Sequence, residues 1–180
     1  FLHFWDKENL KYNIILTATA EEEISGVNGI ESIFKELGNI DFAIVGEPTE
    51  MNLAIAEKGL LVLDCVAKGT SSHAAHPNND NAILNAIEDI NWVTNYKFDK
   101  VSDLLGEVKM TPTIINSGLQ HNVVPNSCTF TIDVRTTEDY SNTEVYNIIN
   151  EHLKSEVTPR SLRLNSSSIP LEHPFVQAGI

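Results

Sequence analysis

The sequence predicts an α/β fold in two parts: a partial parallel sheet, then a ferredoxin-like βαββαβ domain with an antiparallel four-stranded sheet. Continuous apolar runs in residues 12–20 and 41–46 are typical of parallel strands buried on both faces. From about Lys58 the apolar residues alternate with polar ones, which is typical of antiparallel strands with one buried face. The change of pattern at Lys58 therefore separates the two parts.

The first part is predicted to be a strand, a helix and a second strand. Four apolar residues recur at helical spacing between the two strands: Ile30, Ile33, Phe34 and Leu37. Gly38 is the expected C-terminal stop of that helix. A right-handed crossover between parallel strands puts both carboxyl ends at one edge, where ligands collect. Carboxylates follow both strands directly and are expected at that edge: Glu22, Glu23 and Glu47.

The second part is predicted to run strand, helix, strand, strand, helix, strand, which is the ferredoxin-like order. Two strands have an apolar face, formed by Leu61, Leu63, Cys65 and Ala67 and by Cys128, Phe130, Ile132 and Val134. Two helices have an apolar stripe, formed by Ile83, Ala86, Ile87, Ile90 and Val93 and by Val145, Ile148, Ile149 and Leu153. The other two strands are expected near residues 111–117 and 161–166.

Domain boundaries are expected near Lys58 and in the Ser-rich stretch 166–170. The chain would then divide into residues 1–57, 58–168 and 169–180. Neither end resembles a natural terminus, since the chain begins in the middle of an element and stops as an apolar helix begins. We therefore expect further sequence on both sides.

Composition argues against several classes of function. The chain has 12 Lys and Arg against 25 Asp and Glu, and the formal charge of −13 repels nucleic acid and anionic membranes. It contains no uncharged apolar run of about 18 residues and no signal-peptide pattern, so neither a membrane span nor secretion is expected. Cys65 and Cys128 lie in apolar alternating stretches, which favours buried thiols over a disulfide and fits a reducing cytoplasm.

The acidic residues have two interpretations. The triplet Glu21-Glu22-Glu23 alone is typical of a solvated turn. Glu47, in Gly46-Glu47-Pro48, adds a carboxylate at the end of the neighbouring strand. Converging oxygen ligands bind divalent cations, and a metal-bound water needs a nearby base. The set of carboxylates therefore favours a metal site.

The histidines and the later polar residues are individually weak signals. His73 and His76 could form a metal pair, but the Ser-rich sequence and Pro77 favour an ordinary loop. Residues 121–126, which include Asn122, are predicted to form a turn between strands. Arg135 points away from the core, where it could pair with a nearby carboxylate or bind a substrate carboxylate with its planar fork. The nearby carboxylates are those of Asp133 and Glu138.

Two stretches carry a resemblance to a known family. Residues 19–29, Thr-Ala-Glu-Glu-Glu-Ile-Ser-Gly-Val-Asn-Gly, resemble the acidic motif of the zinc amidohydrolases that include acetylornithine deacetylase, succinyl-diaminopimelate desuccinylase, aminoacylase and carboxypeptidase G. Residues 44–49, Ile-Val-Gly-Glu-Pro-Thr, resemble the next ligand motif of that family. The resemblance implies that Glu22 is the general base. It also implies that Glu23 and Glu47 ligate two different zinc ions, for which Co²⁺ or Mn²⁺ could substitute.

The resemblance continues through the second part. Residues 69–77 resemble the lid loop whose histidine reaches the active site of the partner subunit, which implies that His73 helps to hold the oxyanion. It implies substrate contacts for Asn122 and for Arg135, the latter with a substrate carboxylate. Residues 58–168 would be a lid and dimerisation domain of a homodimer, and residues 1–57 and 169–180 would belong to the catalytic domain.

The implied activity is hydrolysis of an N-acyl amino acid by an enzyme like acetylornithine deacetylase. A desuccinylase or a dipeptidase of the same family is the alternative enzyme, and an inactive dimerisation module is the alternative for the isolated chain. A non-catalytic acidic binding protein is a third possibility. The family's His-x-Asp motif, bridging Asp and last His do not occur in this sequence. We therefore expect the isolated chain to bind zinc only incompletely.

Overall fold

The computed structural model describes residues 10–21, 23 and 26–180. They fall into two compact units, the first ending at Pro48 and the second running Thr49–Ile180. The boundary predicted at Lys58 stays a prediction. No helix within the described residues is long and apolar enough to cross a membrane.

The helix predicted in the first unit is confirmed, and its two strands are not. A 3-10 turn at Ile30–Ile33 continues into helix α1 (Phe34–Leu37), and Gly38 ends it with a φ of 67°. No strand forms in the part of residues 10–48 that the structure describes. Leu16 is 70% exposed and Ile44 85% exposed. Parallel strands need neighbouring strands and a helical cover, and the described residues of the first unit supply no neighbouring strand.

Residues 49–180 are all described and contain the main sheet. Their strands are β1 (Ala56–Glu57), β2 (Gly59–Lys68), β3 (Ser72–His73), β4 (Lys109–Ser117), β5 (Val123–Val124), β6 (Ser127–Thr136), β7 (Glu156–Pro159) and β8 (Ser167–Ser168). Their helices are α2 (Ala82–Asn95), α3 (Asn142–His152) and α4 (Pro174–Gly179).

Four strands form an antiparallel sheet in the order β4-β6-β2-β7, with α2 and α3 packed against it. The predicted ferredoxin-like domain is thereby confirmed. The last strand lies earlier than predicted, at Glu156–Pro159 rather than at residues 161–166. Its register is set by Val157, which is 9% exposed and lies opposite Cys65. Residues 161–166 instead run past the start of β2, where Leu164 O accepts a hydrogen bond from Leu60 N–H at 2.9 Å.

The predicted apolar faces of β2 and β6 form the core of the second unit. All eight of their predicted residues are at most 1% exposed. Both cysteines are free and buried, as predicted. Burial raises the pKa of the Cys65 thiol to about 12, so this thiol stays protonated near neutral pH.

Helix α2 buries a different stripe from the predicted one. Its buried residues are Ala82, Ala86, Asp89 and Val93, whereas Ile87 is 42% exposed. Small alanines let the helix lie close to the sheet, and Asp89 faces inward because it accepts hydrogen bonds from Lys154 and Ser155, the two residues just before β7. The prediction that Ala86 and Val93 are buried is therefore confirmed, and the prediction that Ile87 is buried is wrong.

Helix α3 follows the prediction more closely. Val145 and Ile149 are fully buried, and Ser141 forms a capping box with Glu144 at the helix start. Buried Asn142 accepts from the Thr136 hydroxyl at 2.7 Å and donates to two backbone carbonyls. These contacts connect the start of α3 with the end of β6, with Leu60 at the start of β2 and with Leu164.

Candidate functional site

The acidic loop is closed by Glu21. Its backbone carbonyl accepts from Gly26 N–H at 3.0 Å. Its carboxylate accepts from both the backbone and the side-chain amide of Asn28, each at 3.0 Å. Glu21 thus has a structural role that the sequence analysis missed, and Asn28, seven residues later, was the available signal.

The other predicted metal-site carboxylates do not form a complete site in the described residues. Glu22, the predicted base, lies outside them. Glu23 and Glu47 are both exposed. Within residues 10–21, 23 and 26–180 no three His, Cys, Asp or Glu side chains cluster as metal ligands. A catalytic zinc takes three protein ligands, so Glu23 and Glu47 alone do not fit a zinc ion.

The structure brings His73 and Asn122 together. Strand β3 pairs with β5, with His73 opposite Val123, and the backbone N–H of Ala74 donates to Asn122 O at 2.9 Å. The predicted loop and the predicted turn are therefore joined by a short antiparallel ladder. His73 is exposed and Asn122 half-buried at this end of the domain.

The ring of His73 has one nitrogen occupied. Its Nδ1 accepts a hydrogen bond from the backbone N–H of Ala75 at 3.1 Å. A ring nitrogen that accepts a hydrogen bond carries no proton, so this contact favours the tautomer with the proton on Nε2. That tautomer leaves a ring N–H donor free for an oxyanion.

The loop that carries His73 is held by a network of polar side chains. Asn78 donates to Thr70 O at 2.8 Å and to the Ser72 hydroxyl at 2.7 Å. The Thr70 hydroxyl donates to the Asp80 carboxylate at 2.8 Å. The sequence analysis did not single out Asn78 or Asp80. Both fit the pattern of Asn and Asp side chains that organise loops around their own backbone.

Arg135 forms the ion pair that the sequence analysis left open. Its Nε and Nη2 donate to the two carboxylate oxygens of Asp133 at 2.8 and 3.1 Å. The other candidate partner, Glu138, accepts from the Ser102 hydroxyl at 2.6 Å instead. The Asp133 hydrogen bonds raise the pKa of Arg135, which keeps the guanidinium charged. Arg135 thus carries a permanent positive charge on the sheet face that points away from the helices.

Arg135 is far from His73 along the same chain. Strand β6 begins at Ser127, directly after the turn that contains Asn122, and Arg135 is near its far end. Eight residue steps of about 3.3 Å each separate Ser127 from Arg135, a length of about 26 Å. A substrate of two amino-acid units spans only about 7 Å. One such substrate therefore cannot contact both His73 and Arg135 of the same chain.

A model of one protein family matches the second unit. Its description is peptidase dimerisation domain, and it matches residues 55–160, more than half of the chain. This range includes β2 to β7 with both of the helices that pack against the sheet.

Curated proteins and solved structures are also similar to the chain. It is 28% identical to a succinyl-diaminopimelate desuccinylase of Pelagibacter ubique, in a match that covers 81% of this chain and 41% of the relative. It is 29% identical over 71% of its length to 36% of an acetylornithine deacetylase of Myxococcus xanthus. A tripeptidase structure from Staphylococcus aureus shares the fold, with a TM-score of 0.68 and 20% identity over 89% of this chain and 44% of that one. The chain thus spans less than half of each.

Proposed function

Because this chain belongs to the peptidase dimerisation domain family, we propose that it supplies the lid and the subunit contact of a metal-dependent hydrolase. The proposed reaction is removal of the acyl group from an N-acyl amino acid, as the activities of two relatives suggest. Acetylornithine deacetylase-like activity is the first choice, because residues 44–49 and the lid motifs resemble those members most.

The separation of His73 from Arg135 is the observation that carries this proposal. Arg135 lies about 26 Å along β6 from Ser127, the strand end that follows the turn beside His73, so one small substrate can meet both side chains only if they come from different subunits. The distance therefore supports an active site completed by a second copy of the chain. A domain that both covers the substrate and pairs the subunits explains why these residues occupy its two ends.

Each residue has a separate proposed role. Arg135 binds the substrate carboxylate, and Asn122 contacts the substrate beside His73. His73, in the tautomer with its proton on Nε2, donates to the oxyanion that forms at the amide carbon. Glu22 takes a proton from the attacking water and delivers it to the leaving amine.

The metal is proposed as a property of the whole protein. Glu23 and Glu47 are carboxylates of the type that ligates divalent ions, but two ligands do not complete a zinc site. We expect the remaining ligands from residues outside this chain. Zinc is the proposed metal, with Co²⁺ or Mn²⁺ as substitutes.

The proposed homodimer uses the edge strand β4. The sheet has two edges, and β7 is a short one of four residues that ends at Pro159. β4 has nine residues, and its apolar Ile114 and Ile115 are 51% and 52% exposed. Long apolar edge strands tend to pair with another chain, whereas proline interrupts pairing. β4 also contains a proline, Pro112, but its residues 113–117 form a longer proline-free edge than the three residues of β7 before Pro159. These features favour β4 as the contact between subunits.

Two further interpretations stay open to test. A desuccinylase is favoured by the Pelagibacter relative, and a dipeptidase would use the same residues. The isolated chain could also be an inactive dimerisation module. Titration of the 180-residue chain with zinc tests the module interpretation, because two tight sites would contradict it.

The proposal is tested with the protein expressed from its complete reading frame and loaded with zinc. Release of acetate from N-acetyl-L-ornithine is compared with release of succinate from N-succinyl-L,L-diaminopimelate and with hydrolysis of dipeptides. Turnover of none of them would contradict the proposed activity. Glu22→Gln, the test of the base, is expected to abolish turnover.

The shared site is tested by mixing two inactive variants, Glu22→Gln and His73→Ala. A mixed dimer has one site in which both Glu22 and His73 are intact. Random exchange of subunits is expected to restore about one quarter of wild-type activity, since half of the dimers regain one of two sites. A mixture as inactive as its components would contradict the shared site.

A further inference from the structure

We propose that Asp133 is a positioning residue that holds the guanidinium of Arg135 ready for the substrate carboxylate. This inference rests on the proposed function, in which Arg135 binds that carboxylate. Asp133 does not itself touch the substrate. It fixes the orientation of Arg135, which does.

The atoms of the ion pair show which edge of the guanidinium is in use. Asp133 accepts from Nε and Nη2 of Arg135, so it lies against the side of the planar group. A guanidinium has five N–H donors, and this contact uses one on Nε and one on Nη2. Both donors of Nη1 and the second donor of Nη2 are left. These donors form the end of the fork, which matches a second carboxylate in the same plane.

The backbone under the pair is rigid. Asp133 and Arg135 are two residues apart on β6, so both side chains lie on the same face of the sheet. β6 is an inner strand, hydrogen-bonded to β4 on one side and to β2 on the other. The ion pair therefore removes the remaining freedom, which is that of the long arginine side chain. An arginine already held in one geometry loses less entropy when a ligand binds.

The surrounding charges allow an opposite effect of Asp133 on substrate binding, and the experiment must distinguish the two effects. Glu57 is a second carboxylate whose charge acts on Arg135, and Lys109 lies directly opposite Arg135 on β4. If the carboxylates competed with substrate for the guanidinium, removing Asp133 would tighten substrate binding. If Asp133 positions the guanidinium, removing it weakens binding. The two effects on KM have opposite signs.

The same face of the sheet offers a matched control. Arg160 donates from Nε and Nη2 to the carboxylate of Asp64 at 2.8 and 2.9 Å, which is the same side-on geometry. Both pairs are partly exposed, with 47% exposure for the Arg135 side chain and 56% for that of Arg160. Asp64→Asn therefore repeats the chemical change of Asp133→Asn beside an arginine with no proposed substrate contact.

The experiment measures steady-state kinetics of the zinc-loaded complete protein with N-acetyl-L-ornithine or N-succinyl-L,L-diaminopimelate, whichever is turned over. Asp133→Asn is expected to raise KM about tenfold and to leave kcat within about twofold. Asp64→Asn is expected to leave both unchanged. Binding of the amino-acid product is then compared with binding of its carboxamide. Asp133→Asn is expected to reduce the preference for the carboxylate, and a purely structural role would weaken both ligands alike.

Arg135→Gln separates failure of this inference from failure of the proposed function. If Arg135→Gln raises KM and Asp133→Asn leaves it unchanged or lowers it, Asp133 does not position Arg135. If Arg135→Gln leaves KM unchanged, the proposed substrate contact of Arg135 is wrong instead. In the double variant, the effect of Asp133→Asn is expected to disappear. Additive effects would contradict the inference.

Discussion

The carboxylate of Asp89 accepts two hydrogen bonds from Ser155, one from the backbone N–H at 2.9 Å and one from the hydroxyl at 2.5 Å. A third comes from the backbone N–H of Lys154 at 3.0 Å. Asp89 is 3% exposed and Ser155 7% exposed. This buried contact connects helix α2 with the residue that precedes β7, and it sets where the last strand of the sheet begins.

Replacing Asp89 by Ala is expected to destabilise the second unit by about 3 kcal/mol. The change leaves the buried backbone N–H and hydroxyl of Ser155 and the partly buried N–H of Lys154 without their acceptor, and each buried group of this kind costs about 1–3 kcal/mol. Urea unfolding of the 180-residue chain, followed by circular dichroism, measures the loss. The neighbouring Glu88→Ala is the control, since its ion pair with Lys154 is exposed to solvent and contributes little to stability. Equal losses in the two variants would contradict the role of Asp89.

Replacing His73 by Ala is expected to lower kcat about 100-fold to 1000-fold in the complete enzyme, because the oxyanion loses a donor. KM is expected to change little, since the interaction is made in the transition state. His76 is the control, because its ring lies 5.6 Å from that of His73 in the same loop and has no proposed role. Steady-state kinetics give kcat and KM for both variants. A similar loss in His76→Ala would point to loop distortion.

Replacing Ile115 by Asp is expected to convert the dimer into monomers. A charge on the exposed edge strand would be buried unpaired in the subunit contact, at a cost of about 3 kcal/mol or more. Sedimentation velocity of the complete protein measures the change. Leu104→Asp is the control, since Leu104 is 59% exposed but lies in the loop before β4. A dimer that survives Ile115→Asp would exclude β4 as the contact.

The Asp64 pair is expected to add a small pH-dependent term to stability. The hydrogen bond from Arg160 and, more weakly, that from Thr131 lower the pKa of Asp64 below its ordinary value of 3.8, against the opposing effect of burial. A lowered pKa in the folded state stabilises above the unfolded pKa, and this contribution is lost as the pH falls below about 3.8. Because the side chain is 47% exposed, the term is less than about 1 kcal/mol. Urea unfolding of wild type and Asp64→Asn at pH 3 and pH 6 measures it. An equal difference between the two proteins at both pH values would contradict it.

Much of the second unit could be predicted because apolar and polar residues alternate along the strands that form its core. The alternation in β2 and β6 left only one face able to bury Leu63, Phe130 and their neighbours, and pairing followed from it. The position of β7 could not be predicted this way, since its register depends on Val157 and on the contact with Asp89. Such contacts between distant residues leave no local pattern.

The candidate site was predictable only in part. The pairing of His73 with Val123 follows from two short strands of two residues each, too short for any periodic signal. For Arg135 the sequence left two carboxylate partners open, and Asp133 was one of them. Apolar runs such as residues 12–20 predict strands only when neighbouring strands are present, and the described residues of the first unit provide none.

The unequal edges of the sheet also limit how large the proposed assembly can grow. If β4 pairs with β4 of a second copy around a two-fold axis, both long edges are consumed in one closed, isologous contact. Each outer border of the joined eight-stranded sheet would then be β7, where Pro159 lacks the N–H that further strand addition needs. The fold would thus stop at a pair of subunits and would resist growing into a fibre.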